Sequence, residues 1–165
     1  MDDEREKFCR FVDSLTEEDV TSVDPISYRR VLGSEEASAV WAGLAERWNI
    51  SQRSYWYPLI EFSHTNVVAY DAESFHNAVP AHAIVRNLHK LGVERVWELR
   101  EFGPEYEQDI ELLDPYYNGA EGFWTSAGFN WIIYASHESS ITVGGELLDF
   151  VRQSCPKWNS HRWNT

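Results

Sequence analysis

The twenty-five residues from Glu121 to Gly145, EGFWTSAGFNWIIYASHESSITVGG, constrain the fold more than any other part of this chain. They read as three antiparallel strands, Gly122–Thr125, Asn130–Ala135 and Ser140–Val143. Ser126-Ala127-Gly128 and His137-Glu138-Ser139 supply the turns between them. In an extended chain, successive side chains point to opposite faces, so Trp131 and Ile133 share one face and Ile132 and Tyr134 the other. A strand that is apolar on both faces belongs in the middle of a sheet, covered on both sides.

The flanking sequence supplies helices. Residues 2–15 predict an amphipathic helix with Phe8, Phe11, Val12 and Leu15 at helical spacing. Thr16 to Asp24 reads as an acidic, polar connection. Ser34 is the expected N-cap of a second helix whose apolar face is Val40, Trp41, Leu44 and Trp48. Ser54 to Phe62 is aromatic, but Pro58 confines it to an edge strand or irregular chain. Val67 to Tyr70 predicts a short buried strand. Pro80 as first residue and Gly92 as stop frame a helix over Ala81–Leu91, with Ile84, Leu88 and Leu91 inward. Val93 to Phe102 predicts a further strand. Tyr106 to Asp114 fits a strand or a helix, and the hairpins that follow favour the strand. Glu146 to Ser154 predicts a closing helix with Leu147, Leu148 and Val151 buried, before a polar tail bearing Trp158 and Trp163.

At 165 residues the chain is expected to form one domain: a helical part over 1–53, an α+β sheet part over 54–155 and a tail over 156–165. The fold class is α+β, an antiparallel or mixed sheet from the C-terminal half with helices packed on one face. Eight Trp, eight Tyr and eight Phe predict an aromatic core.

Charge narrows function. The net charge is −13, and Glu101 to Val151 holds ten acidic residues and no Lys or Arg. Such a field repels nucleic acid and anionic membranes and attracts a cationic partner. Three lysines and no basic run leave nothing to track a phosphate backbone. The N-terminus, MDDEREKF, is charged where a secretory signal would be apolar, and no apolar run reaches the roughly 20 residues that span a bilayer. A cytoplasmic protein is the expectation. Cys9 and Cys155, far apart and outside any CxxC, are expected to be free thiols, with one bridge between them as the alternative.

If Tyr106–Asp114 is extended, Glu107, Asp109 and Glu111 line one face as a strip of carboxylates. They either face solvent or steer a basic protein partner. Exposed members of Tyr116, Tyr117 and Trp124 would anchor that partner, whereas buried members are core. His137 beside Glu138 is the alternative catalytic pair, since imidazole titrates near neutrality. It lies outside HExxH, because position 141 is Ile, and Ser139 and Ser140 lie outside GxSxG. His76, His82 and His89 lack the spacing of a metal set, and Gly144-Gly145 has no P-loop lysine, so no metal and no cofactor are expected. A third possibility is a small-molecule module whose tryptophans line an apolar pocket.

The stretch FWTSAGFNWIIYASHESSITVGG and the helix after it resemble the closing hairpin of small acidic bacterial proteins of the immunity type, which neutralise toxins. The resemblance covers about the last fifty residues and carries over no residue roles. It implies a binding protein that occludes a basic toxin domain.

Overall fold

A computed structural model of the chain describes residues 2–22, 27–51, 56–59, 66–155 and 157–163. Helix α1 spans Asp2–Asp13 and α2 Glu17–Ser22. Strand β1 (Arg29–Val31) leads into α3 (Ser34–Trp48). Then come β2 (Val67–Asp71), α4 (Ala72–Ala78), α5 (Ala81–Lys90), β3 (Arg95–Arg100) and β4 (Tyr106–Asp109). Strands β5 (Gly122–Thr125), β6 (Trp131–Ala135) and β7 (Ser140–Gly145) precede α6 (Glu146–Ser154). The class is α+β, as the pattern of elements requires.

The seven strands form one sheet in the order β1-β4-β3-β5-β6-β7-β2, with every pairing antiparallel. The β5-β6-β7 meander is the one expected from its turns. Its double-sided apolar pattern carries two cores. On one face Trp131, Ile133 and Ala135 of β6 pack with Ile84 and Leu88 of α5 and Leu147 and Leu148 of α6. On the other, Ile132 and Tyr134 pack with Val40, Leu44 and Trp48 of α3. Helical cover therefore extends to both faces rather than one. A one-sided layer would leave Ile132, Tyr134 and Phe123 in water, yet all three are buried.

The tail folds back. A 3₁₀ turn at Trp158–His161 sets the Trp163 N–H against the Ala69 carbonyl at 3.0 Å, and Arg162 bridges to Tyr70. The tail thus occupies part of the outer edge of β2, which would otherwise present unpaired backbone groups.

Several local expectations shift. Thr16–Asp24 carries α2 instead of a bare connection, because Thr16 and Asp19 form a reciprocal cap. The Thr16 N–H donates to the Asp19 carboxylate at 2.9 Å, and the Asp19 N–H donates to the Thr16 hydroxyl oxygen at 3.2 Å. The Thr16 hydroxyl, which donates to the same carboxylate at 2.6 Å, and then the Thr16 N–H hold the Asp19 carboxyl below its usual range. Helix α3 is capped at Gly33, one residue earlier than expected, by the Glu36 carboxylate accepting the Gly33 N–H at 2.9 Å. Leu91 ends α5 on the exposed side. The 106–114 segment is a strand only to Asp109. A 3₁₀ turn at Ile110–Leu112 then breaks the alternation. Helix α1 forms, but Phe11 and Val12 of its predicted stripe are exposed, and the Phe8 side chain lies outside the described set. Much of Ser54–Phe62 also lies outside the described residues, although Trp56 is buried and the Tyr57–Pro58 peptide is cis. Cys9 is an exposed free thiol and Cys155 a buried one.

The β7–α6 junction depends on Gly145, at φ 70° and ψ −145°, a region nearly closed to side-chain-bearing residues. A Cβ there would lie 2.0 Å from the Asn130 carbonyl oxygen, the acceptor of the Glu146 N–H. Gly145→Ala is therefore expected to destabilise the fold by at least about 3 kcal/mol, from backbone strain plus the clash. Guanidinium unfolding of the two proteins checks this.

Candidate functional site

Four chain segments converge on a cavity of about 670 Å³ at one end of the sheet. Asp71 ends β2 and caps α4, its carboxylate accepting the Ser74 N–H at 2.8 Å. These cap bonds hold the Asp71 carboxyl below its ordinary range, so it stays anionic. The first turns of α4 then place Glu73, His76 and Asn77 on the wall. The β6–β7 turn contributes Ser136, Ser139 and Ser140, with Ser139 in the left-handed region at φ 57°. The turn is tied to α4 by the Ala72 N–H, which donates to the Ser139 carbonyl at 2.9 Å. The loop after the 3₁₀ turn brings Tyr116 and Tyr117 to the mouth, 47% and 45% exposed.

Tyr116 is held by stacking on His76, with ring centroids 3.7 Å apart and planes 18° apart. Burial pushes the His76 pKa down, against the opposing charge of Asp114, so the ring is neutral at pH 7. The Ser136 and Ser140 hydroxyls lie 2.8 Å apart and bond each other. Among the described residues the buried His76 Nε2 has no hydrogen-bond partner, so no serine hydroxyl is bonded to it. A nucleophile needs a base within hydrogen-bond reach, and the arrangement does not provide that pair. What it provides is a cavity lined by two carboxylate side chains, Asp71 and Glu73, and by two half-exposed phenol rings. Carboxylates and ring faces both attract cations.

The partner-contact residues singled out from sequence fall in three places. Tyr116 and Tyr117 are at the cavity. Trp124 is buried on the α5–α6 face of the sheet and is no surface anchor. Glu107, Asp109 and Glu111 are not a bare acidic strip. Glu107 pairs with Arg30 at 2.8 Å, Asp109 with Arg95 at 2.6 Å and Glu111 with His89 at 2.7 Å. The partner side chains come from β1, β3 and α5.

His137 stands at the β6–β7 turn, 43% exposed, with Nδ1 2.6 Å from the buried Glu121 carboxylate and Nε2 3.0 Å from Glu138. The second Glu121 oxygen accepts the Tyr134 hydroxyl. The bond to Glu121 raises the His137 pKa, with the charges of Glu121, Glu138 and Glu101 adding to it. Burial first, and Glu121 second, keep the Tyr134 hydroxyl protonated far into alkali. An imidazole clasped by two carboxylates holds its proton and makes a poor base. His137 lines none of the described cavities.

Sequence reasoning missed Asp71, Glu73 and the cavity role of His76. The stretch Asp71-Ala72-Glu73-Ser74 has the form of a capped helix start, and that signal was available. The convergence with Tyr116 and Ser140 was not. Among the described residues no three His, Cys, Asp or Glu side chains are grouped to hold a metal, and no helix is long and apolar enough to cross a membrane. No family model, curated protein or solved structure matches the chain.

His137→Ala leaves the buried Glu121 with one partner fewer and is expected to cost about 1–3 kcal/mol. A histidine whose pKa rises on folding stabilises fully below its ordinary value of 6.5 and loses that contribution as pH climbs through the raised one. The gap in urea midpoint between wild type and His137→Ala should therefore be largest at pH 5.5 and shrink towards pH 8.5. A gap independent of pH would remove the charge from this account.

Proposed function

We propose that this chain is a non-enzymatic, cytoplasmic protein-binding domain that docks a basic protein, taking one arginine or lysine side chain into the Tyr116–Tyr117 cavity. The observation that carries the reading is that two adjacent half-exposed tyrosines line the same cavity as the Asp71 and Glu73 carboxylates. Tyrosine offers large contact area at low entropic cost, and a cation enclosed by carboxylate and ring is a common energetic centre of interfaces. The electrostatic role first given to Glu107, Asp109 and Glu111 passes to Asp71, Glu73 and Asp114, since the former three are already partnered. The likeness of the C-terminal fifty residues to immunity-type proteins makes a toxin domain the partner of choice, inhibited by occlusion of its active site.

The enzyme reading keeps one supporting observation, a carboxylate within hydrogen-bond reach of His137. The raised His137 pKa and its bonds to Glu121 and Glu138 favour a structural strut instead.

Titrating the ¹⁵N-labelled protein with N-acetyl-arginine amide should give saturable shifts at Glu73, Tyr116, Tyr117 and Ser139. N-acetyl-citrulline amide, the uncharged analogue, should not. Tyr116→Ala/Tyr117→Ala should weaken capture of a basic protein partner by about 2 kcal/mol, or roughly 30-fold. Equal response to arginine and citrulline would sink the cation site. Unchanged capture by the double variant would sink the tyrosine anchor.

A further inference from the structure

Helix α5 carries an exposed arginine and lysine one turn apart, Arg86 and Lys90. In a chain of net charge −13, carboxylates are plentiful, and the described arginines use them. Arg10, Arg29, Arg30, Arg95, Arg100 and Arg152 are ion-paired, and Arg47 and Arg162 lie over tryptophan rings. Arg86 alone among the described arginine side chains has neither kind of partner, and no carboxylate pairs with Lys90. Both line a second cavity, of about 660 Å³, where α4, α5 and α6 meet. It shares no lining residue with the Tyr116–Tyr117 cavity. The rest of its wall is apolar at Val79, Pro80, Ala83 and Phe150, with Asn87 and Ser154 as further polar side chains.

We propose that this cavity binds a small amphipathic anion. Its apolar body lies against Val79, Ala83 and Phe150, and its carboxylate or phosphate sits between Arg86 and Lys90. The guanidinium offers a planar fork that matches either headgroup, and the ammonium adds a point charge. The dipole of α5 accounts for a cation in its last turn, where Lys90 sits. It does not account for Arg86 a turn earlier, nor for the apolar wall that both cations border. The negative charge of the whole chain opposes an anion, but exposed charges are screened beyond about 8 Å at physiological ionic strength. The two local cations therefore set the sign of the site.

The test is a titration of the ¹⁵N-labelled full chain with four probes of one chain length: hexanoate, hexyl phosphate, hexanol and hexylammonium. At least one anion should give saturable shifts at Ala83, Arg86, Asn87 and Phe150, with affinity at least tenfold above hexanol and hexylammonium. Preference for hexanoate assigns a carboxylate and preference for hexyl phosphate a phosphate, and either supports the site. Arg86→Gln/Lys90→Gln changes exposed positions only. It should keep the spectrum of the folded protein, weaken the anion at least tenfold and leave hexanol unchanged. Anions that bind no better than hexanol, or an unchanged anion affinity in the double variant, would overturn the proposal.

Discussion

The burial of β6 on both faces is the constraint from which most of this structure follows. Trp131, Ile132, Ile133, Tyr134 and Ala135 are each at most 2% exposed, so no surface of this strand is left to water. Each large ring takes on the order of 150–250 Å² of apolar area out of solvent. The strand therefore needs a layer above and a layer below, which α3 and the α4–α6 group supply. Close approach follows. A Cβ on Gly144 would lie 3.1 Å from the Trp48 ring and 2.9 Å from Ile132, so the bare backbone lets the α3 tryptophan lie against β7. The Trp48 indole N–H then donates to the Phe129 carbonyl at 2.9 Å, fixing the β5–β6 loop to the helix. Polar consequences propagate from the same strand. Tyr134, buried by its place in β6, must satisfy its hydroxyl, and Glu121 accepts it. Glu121, itself buried, needs a further donor, and His137 at the next turn is that donor.

Along β4, charge is balanced by strand register rather than by sequence neighbours. In the antiparallel ladders Arg30 stands opposite Glu107, and Arg95 opposite Asp109. Cross-strand pairs of opposite sign contribute a few tenths to about 1 kcal/mol each. Their larger effect here is on the field. A segment without a single Lys or Arg is neutralised along β4 by residues up to 77 positions away. Glu98 is balanced at greater depth by a residue of its own strand and one from β1. It is 5% exposed and lies between Arg29 and Arg100, with the Arg29 guanidinium also 4.0 Å from the Tyr106 ring centroid.

The meander, the α3 stripe and α6 were legible because each writes its burial in a local period of two or 3.6 residues. Strand β1, three residues long, was not, since Arg29-Arg30-Val31 has no apolar alternation and is held by its pairing to β4. The 106–114 segment resisted because its register with β3 ends at Asp109, and a 3₁₀ turn rotates Ile110 and Leu113 inward. Helix α1 was legible as a helix but not in its environment. Periodicity reports that a face is apolar, not that the same chain covers it. At the cavity, Tyr116 and Tyr117 were open to selection as candidate anchors because tyrosine is the residue type that interfaces favour. The groups below them come from three other segments, and a single sequence holds no record of that convergence.

The exposure of those tyrosines carries its meaning from the rest of the molecule. This chain buries Trp48, Trp56, Trp124, Trp131, Tyr70, Tyr134 and Phe75 almost completely. Its packing has room for aromatic rings, so exposure of two in succession is not forced by a full core. Phe11, Phe102 and Tyr28 are exposed as well, but none of them lines a described cavity. Tyr116 is moreover not loose, because its stack on His76 fixes one ring face and leaves the rest at the cavity mouth. Holding a ring still while it remains exposed lowers the entropy lost when a second molecule packs against it. A neutral His76 suits the cation docking proposed above, since a protonated ring would repel a cation. In the proposed docking, burial of His76 would therefore act twice, by stiffening the tyrosine and by keeping the imidazole uncharged.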